Sequence, residues 1–222
     1  LRRDDWGNWF GNNNPNWLWH VHLPLHYISR NRQLIARDTK KMLFNYRDSR
    51  RCFPISPQME RPNGPNQYGN VTSANSASPY RGGLFGTEFE RSVFISEPVH
   101  NLVHREVLEP DGVTFTSRRA KGEEKSEFLA STDNWFRPTM TKTGPDGALY
   151  VADMYRLVIE HPQWIPATMQ SRVNLREGAD RGRIWRVFPT GSKLRKTPIL
   201  ETKSVKELVS LLDSPNGWRR DT

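Results

Sequence analysis

Three separate stretches of the chain share one layout of apolar and polar positions: a short aromatic strand, a polar residue at its end, a loop, and an apolar-basic strand that returns. The first is Trp9-Phe10-Gly11-Asn12, returning through Trp19-His20-Val21-His22-Leu23. The second is Val93-Phe94-Ile95-Ser96-Glu97, returning through Leu102-Val103-His104-Arg105-Glu106-Val107. The third is Leu149-Tyr150-Val151-Ala152-Asp153, returning through Arg183-Ile184-Trp185-Arg186-Val187. Short runs of this kind, bounded by turn residues, predict strands rather than helices. Phe10 and His20 lie ten residues apart, as do Phe94 and His104, whereas Tyr150 and Trp185 lie 35 apart because a longer segment, 157–181, enters the loop. Pro110-Asp111-Gly112 and Pro145-Asp146-Gly147 supply turns, since Pro presets φ and Gly accepts a positive φ.

Repeated antiparallel meanders close radially as propeller blades, with a sandwich of three unrelated hairpins as the competing arrangement. The expected fold is mainly β: a partial β-propeller of about three blades of four-stranded antiparallel sheet. Three blades cannot close a ring, so further blades are expected upstream. On this reading the chain is a fragment of a larger protein, inactive by itself and with unpaired blade edges. Near the C-terminus the period changes. Val205, Leu208, Val209 and Leu212 form the stripe of an amphipathic helix, with Ser204 and Glu207 as a capping box. The expected division is therefore a propeller part at 1–192, then a linker and the start of HEAT-like helical repeats at 193–222.

Composition agrees with sheets packed by flat side chains. The 222 residues are 35% hydrophobic, with 8 Trp, 10 Phe and 6 Tyr. The net charge of +9 is concentrated in segment 30–51, read as a solvated insertion and, alternatively, as a reader of polyanions or a membrane surface. No nucleic-acid motif accompanies it, so no nucleic-acid partner is expected. Cys52 is the sole cysteine, which excludes an internal disulfide, a four-cysteine zinc site and a C-x-x-C-H haem motif within these residues. No apolar run reaches the length of a membrane span.

Phe136-Arg137-Pro138, the run from Gly144 through Asp153 to Arg156, Gly182-Arg183-Ile184-Trp185-Arg186-Val187 and Glu97-Pro98-Val99-His100-Asn101-Leu102-Val103-His104-Arg105 carry a family likeness. They resemble the membrane-bound dehydrogenases of bacteria, in which a TolB-like six-bladed propeller precedes HEAT repeats and often a cytochrome c domain. That propeller is similar to the one in glucose/sorbosone dehydrogenases dependent on pyrroloquinoline quinone (PQQ). The likeness is weakest at 29–70. It implies oxidation of a sugar or alcohol hydroxyl, PQQ and calcium as cofactors, electron transfer to a cytochrome partner and a periplasmic or cell-envelope location. A non-catalytic propeller binding glycan, protein or polyanion is the alternative.

In a meander the start of strand one and the end of strand two reach the same face. That places Arg137 with Asp153, Tyr155 and Arg156 on one rim, together with Ser73, Asn75, Glu97, His100 and Asn101, and with Asn12 and Asn13 of the first unit. His100 is the candidate base, because it titrates near neutrality, and Asp153 its catalytic partner or a metal-coordinating group. Arg137, Tyr155 and Arg156 are candidates for cofactor binding, the guanidiniums as forked donors to carboxylates. Asn12, Asn13, Glu97 and Asn101 are candidates for substrate binding. The plainer alternatives stay open: Asp153 paired with Arg137 or Arg156 to hold a loop, and His100 structural. His20, His22 and His26 have metal-like spacing but lack an evident further ligand, so no metal site is assigned to them. The loop at 157–181 is expected to pack over the funnel or a neighbouring blade as an Ω-type loop.

Overall fold

A computed structural model describes residues 1–35, 38–44, 50–59 and 68–222. Parts of the basic segment, at 36–37 and 45–49, lie outside the described residues. The described residues form three antiparallel sheets. Sheet one joins β1 (Arg2–Arg3), β2 (Trp9–Asn13), β3 (Asn16–Val21) and, past the short helix α1 (Leu25–Ile28), β4 (Lys41–Met42) in that order. Sheet two joins β5 (Asn75–Pro79), β6 (Ser92–Glu97), β7 (Leu102–Asp111) and β8 (Thr114–Arg119), with β9 (Leu129–Ala130) also on β7. Sheet three joins β10 (Pro138–Thr143), β11 (Leu149–Asp153) and, after α2 (Ala167–Gln170), β12 (Arg183–Val187). The fold is mainly β with open sheets, as a partial propeller requires, although the sheets hold four, five and three described strands rather than four each.

The first strands of the sheets are neighbours: β5 touches β1 and β2 on one side and β10 on the other. Sheet two therefore lies between the other two, and every residue of β6 is buried. Alternation along the strands divides its side chains between two cores. Val93, Ile95, Leu102 and Leu108 join Phe10, Trp17 and Leu18 of sheet one. Phe94 and Val103 join Phe136, Leu149 and Val151 of sheet three, with Tyr80 and Phe85.

His104 lies in β7 two residues from Leu102, and its ring stacks on Trp17 at 4.1 Å. Its Nδ1 is 2.8 Å from Glu127 and its Nε2 2.8 Å from Glu106. Arg119 donates to the same Glu127 carboxylate at 2.9 Å. Burial alone would lower the imidazole pKa, but the two carboxylates outweigh it and hold it above its ordinary value. The charge is thus paired on both sides, which a buried ion needs.

The register refines the repeat. Phe10 pairs with His20, but Phe94 pairs with Arg105 and Tyr150 with Arg186. The equal spacing of ten in the first two units therefore does not mean equal pairing, and β2 and β3 carry an irregularity between Gly11 and Asn13. At the C-terminus, α3 (Val205–Leu211) has the expected capping box and α4 (Gly217–Asp221) follows it. The α3 stripe is exposed, whereas the segment entering α4 is bonded to the sheets. Asn216 Nδ2 donates to the carbonyls of Gly144 and Pro145 at 3.0 Å, and Gly217 N to Arg81 O at 2.7 Å.

Candidate functional site

One end of the sheets gathers the expected rim. β5 begins there, β6 and β11 end there, and β10 starts there, because β5 is antiparallel to β6 and β10 to β11. The β2–β3 hairpin joins them, Ala74 N donating to Asn14 O at 3.0 Å. Arg137 and Asp153 share this rim as expected. Most of the polar atoms brought together, however, bond to main chain rather than facing open space.

Glu97 ends β6 and is fully buried. Its Oε1 accepts from Thr72 N at 2.9 Å, Thr72 Oγ1 at 3.2 Å and Ser73 N at 2.9 Å, and its Oε2 from His100 N at 2.9 Å. Burial pushes the carboxyl pKa up, yet His100 and the amides outweigh it and hold it below its ordinary value. Asn101, at φ 58°, donates through Nδ2 to the carbonyls of Asn134 at 3.1 Å and Phe136 at 2.6 Å. Both residues were expected on the substrate side. Glu97 instead ties the end of β6 to the segment entering β5, Asn101 ties the β6–β7 turn to the segment entering β10, and neither presents surface to a ligand.

His100 is 2% exposed. Its Nε2 accepts from Gly69 N at 3.1 Å, which places the ring proton on Nδ1, 3.2 Å from Glu97 Oε1. A base needs a free acceptor nitrogen, and here that atom is engaged, so His100 is held as a structural group in this conformation.

Asp153 repeats the role of Glu97 one sheet on. Its Oδ1 accepts from Arg137 N at 2.8 Å and Tyr155 N at 2.9 Å, and its Oδ2 from Trp185 Nε1 at 2.9 Å. It is neither exposed to a substrate nor paired with a guanidinium of Arg137 or Arg156. The Arg137 guanidinium donates to carbonyls of Pro98 at 2.9 Å, Arg156 at 2.9 Å and Leu157 at 2.8 Å, locking the rim loops of sheets two and three together. Arg156 donates to Arg176 O at 3.2 Å. Tyr155, at φ 49°, donates its hydroxyl to Asp133 at 2.9 Å, and that bond raises its pKa. The Arg183 guanidinium lies 3.7 Å from the centre of the Tyr155 ring. Asn13 accepts from Asn16 across the β2–β3 turn at 2.7 Å, while Asn12 Nδ2 is buried without a hydrogen-bond partner among the described residues.

Between the rim and segment 157–173 lies a pocket of ≈ 150 Å³. Val99, Leu157, Val158, Ile159, Ile165 and Val173 form apolar walls, and Ser56, Tyr68, His100, Asn134, Arg137 and Glu160 border it. Ile165 is buried and anchors the segment, as expected of a packed loop, although Trp164 is 60% exposed. Within this border the Asn134 side-chain amide makes no hydrogen bond among the described residues and remains able to meet a ligand. Sequence reading missed Asn134 and the apolar wall. The signal was the run Leu157-Val158-Ile159, too apolar for a free loop.

The three histidines of the first unit do not form a metal centre. His20 bonds Thr114 Oγ1 at 2.9 Å and stacks on Phe10, and burial, the largest influence, lowers its pKa. Among the described residues no group of three or more His, Cys, Asp or Glu could hold a metal ion. No helix among them is long and apolar enough to cross a membrane.

Residues 1–191 match a family model described as a domain of unknown function (DUF7133). No curated protein and no solved structure matches the chain.

Proposed function

This chain belongs to the DUF7133 family, and we propose that its rim pocket binds a small, largely apolar molecule carrying one or two hydrogen-bonding groups. The observation that carries this reading is the pairing of apolar walls from 157–173 with the uncommitted amide of Asn134. Ligand pockets commonly combine apolar lining with a few placed polar groups. The walls are mainly aliphatic, with Asn134 and Glu160 as polar groups at their border, so a simple alcohol or ketone suits the pocket better than a polyhydroxylated sugar.

Oxidation of a hydroxyl substrate rests on the sequence likeness to the dehydrogenases. The residues expected to hold PQQ do not fit it as they stand. The Arg137 guanidinium donates to the carbonyls of Pro98, Arg156 and Leu157, Arg156 donates to Arg176 O, and the Tyr155 hydroxyl donates to Asp133. No catalytic step is therefore derived through that group. The binding reading is tested by titrating the protein with cyclohexanol and cyclohexanone while following its amide NMR spectrum. Shifts at Asn134 and Val158 that vanish in Val173→Trp, with circular dichroism unchanged, are expected. Absence of those shifts, or their persistence in the filled variant, overturns the reading. Dye reduction by the full-length protein with PQQ, calcium and alcohols tests the oxidoreductase reading separately.

A further inference from the structure

The end of the sheets opposite the rim has a different electrostatic character. β1 pairs Arg2 with Phe10 and Arg3 with Trp9, at the start of β2 and away from its rim end at Asn13. β5 and β10 end on the same side, at Pro79 and Thr143. Here the first strands of all three sheets and α4 enclose a cavity of ≈ 230 Å³. Four cationic side chains border it, Arg2, Arg3, Arg81 and Lys142, against one carboxylate, Asp221.

The balance among these charges is uneven. Arg81 is neutralised: it donates to Asp5 and, at 2.6 Å and 3.1 Å, to both oxygens of Asp221. Asp5 is shared with Arg220. Arg3 approaches Asp221 only at 3.9 Å. Arg2 and Lys142 have no carboxylate partner among the described residues, and both are exposed. Like charges collected around one concavity repel each other and raise the local concentration of anions. Arginine forks and a lysine point charge are the usual means of gripping phosphate and carboxylate groups.

We propose that this axial cavity is a binding site for a small multivalent oxyanion bearing phosphate or carboxylate groups, gripped by Arg2, Arg3 and Lys142 and roofed by α4. The site is independent of the rim pocket and stands or falls apart from it.

The experiment is isothermal titration calorimetry of the full chain at constant ionic strength, with pyrophosphate and citrate as probes and acetate as the monovalent control. Pyrophosphate or citrate is expected to bind more tightly than acetate, and the tighter of the two identifies phosphate or carboxylate chemistry. Lys142→Ala and Arg2→Ala should each weaken binding about tenfold, as loss of one charge-assisted bond implies. Lys142→Arg should retain it, and Lys125→Ala, remote from the cavity, should leave it unchanged. All three positions are on the surface, so circular dichroism should not change. Equal affinity for all three anions, or native affinity in Lys142→Ala and Arg2→Ala, overturns the proposal.

Discussion

The Asp153 carboxylate reaches Arg137 through the backbone amide, Oδ1 to N at 2.8 Å, and not through the guanidinium. An acid and a base on one rim suggest an ion pair or an active centre. Instead the carboxylate staples the start of one strand to the end of the next, and the guanidinium donates to carbonyls of neighbouring loops. Glu97 does the same in sheet two. What the repeat carries is a structural device.

Asp153→Ala strands the buried amide of Arg137 and two part-buried donors, Tyr155 N and Trp185 Nε1, and should lower stability by about 1–3 kcal/mol. Asp153→Asn keeps an acceptor but sets an amide NH₂ near a donor, so a smaller loss is expected. Urea midpoints measure both. An Ala variant as stable as the native chain would show that the staple contributes nothing.

Tyr80 holds sheets two and three together from the other end. Its hydroxyl donates to Gly147 O at 2.7 Å and accepts from the amides of Leu84 at 3.0 Å and Phe85 at 3.2 Å. Tyr80→Phe keeps the ring stacked on Phe85 but orphans three polar groups. A loss of about 1–3 kcal/mol is expected from denaturant titration.

Gly147 has φ +92°, and a Cβ there would stand 2.8 Å from the carbonyl oxygen of Gly82. Strain and backbone clash act together, so Gly147→Ala should cost about 2 kcal/mol or more. Gly112 provides the contrast: its φ is +62°, but a Cβ would meet nothing within 4 Å. There the conformational cost acts alone, and about 1 kcal/mol is expected. Similar melting temperatures for the two variants would contradict the close approach.

The buried charge group around His104 sets a pH dependence. The imidazole pKa is raised in the folded state, so its stabilisation is fully present below the unfolded value of about 6.5 and is lost as pH rises through the folded one. Burial pushes Glu127 upward, but His104 and Arg119 outweigh it and its pKa is lowered. Its contribution is present above about pH 4.3 and lost as pH falls through the folded value. Stability from this group should therefore peak between those limits. His104→Gln cannot titrate, and its alkaline decline in urea midpoint should be shallower than that of the native chain. Parallel declines would remove His104 as the cause.

The third unit was the most legible. Its strands 149–153 and 183–187 fall where alternation put them, as does the capped helix at 205–211. The turn at 145–147 also holds, whereas Pro110 and Asp111 extend β7 and leave the reversal to Gly112 and Val113. β5, with the sequence Asn75-Ser76-Ala77-Ser78-Pro79, was hidden because it lacks the aliphatic and aromatic signal of strands. It is specified by its neighbours on both faces, a tertiary effect that overrides propensity. Position was legible at the rim, but partnership was not. Spacing showed that Arg137, Asp153 and Glu97 meet, yet the acceptors of Glu97 and Asp153 are filled mainly by main-chain amides, which no side-chain pattern reports.

The buried middle position of sheet two orders how the molecule comes apart. A strand without a solvent face cannot fray alone, because its amides reach water only once a flanking layer has departed. Deuterium should therefore enter β12 and the α3 region earliest and β6 last, the slowest protons reporting global rather than local opening.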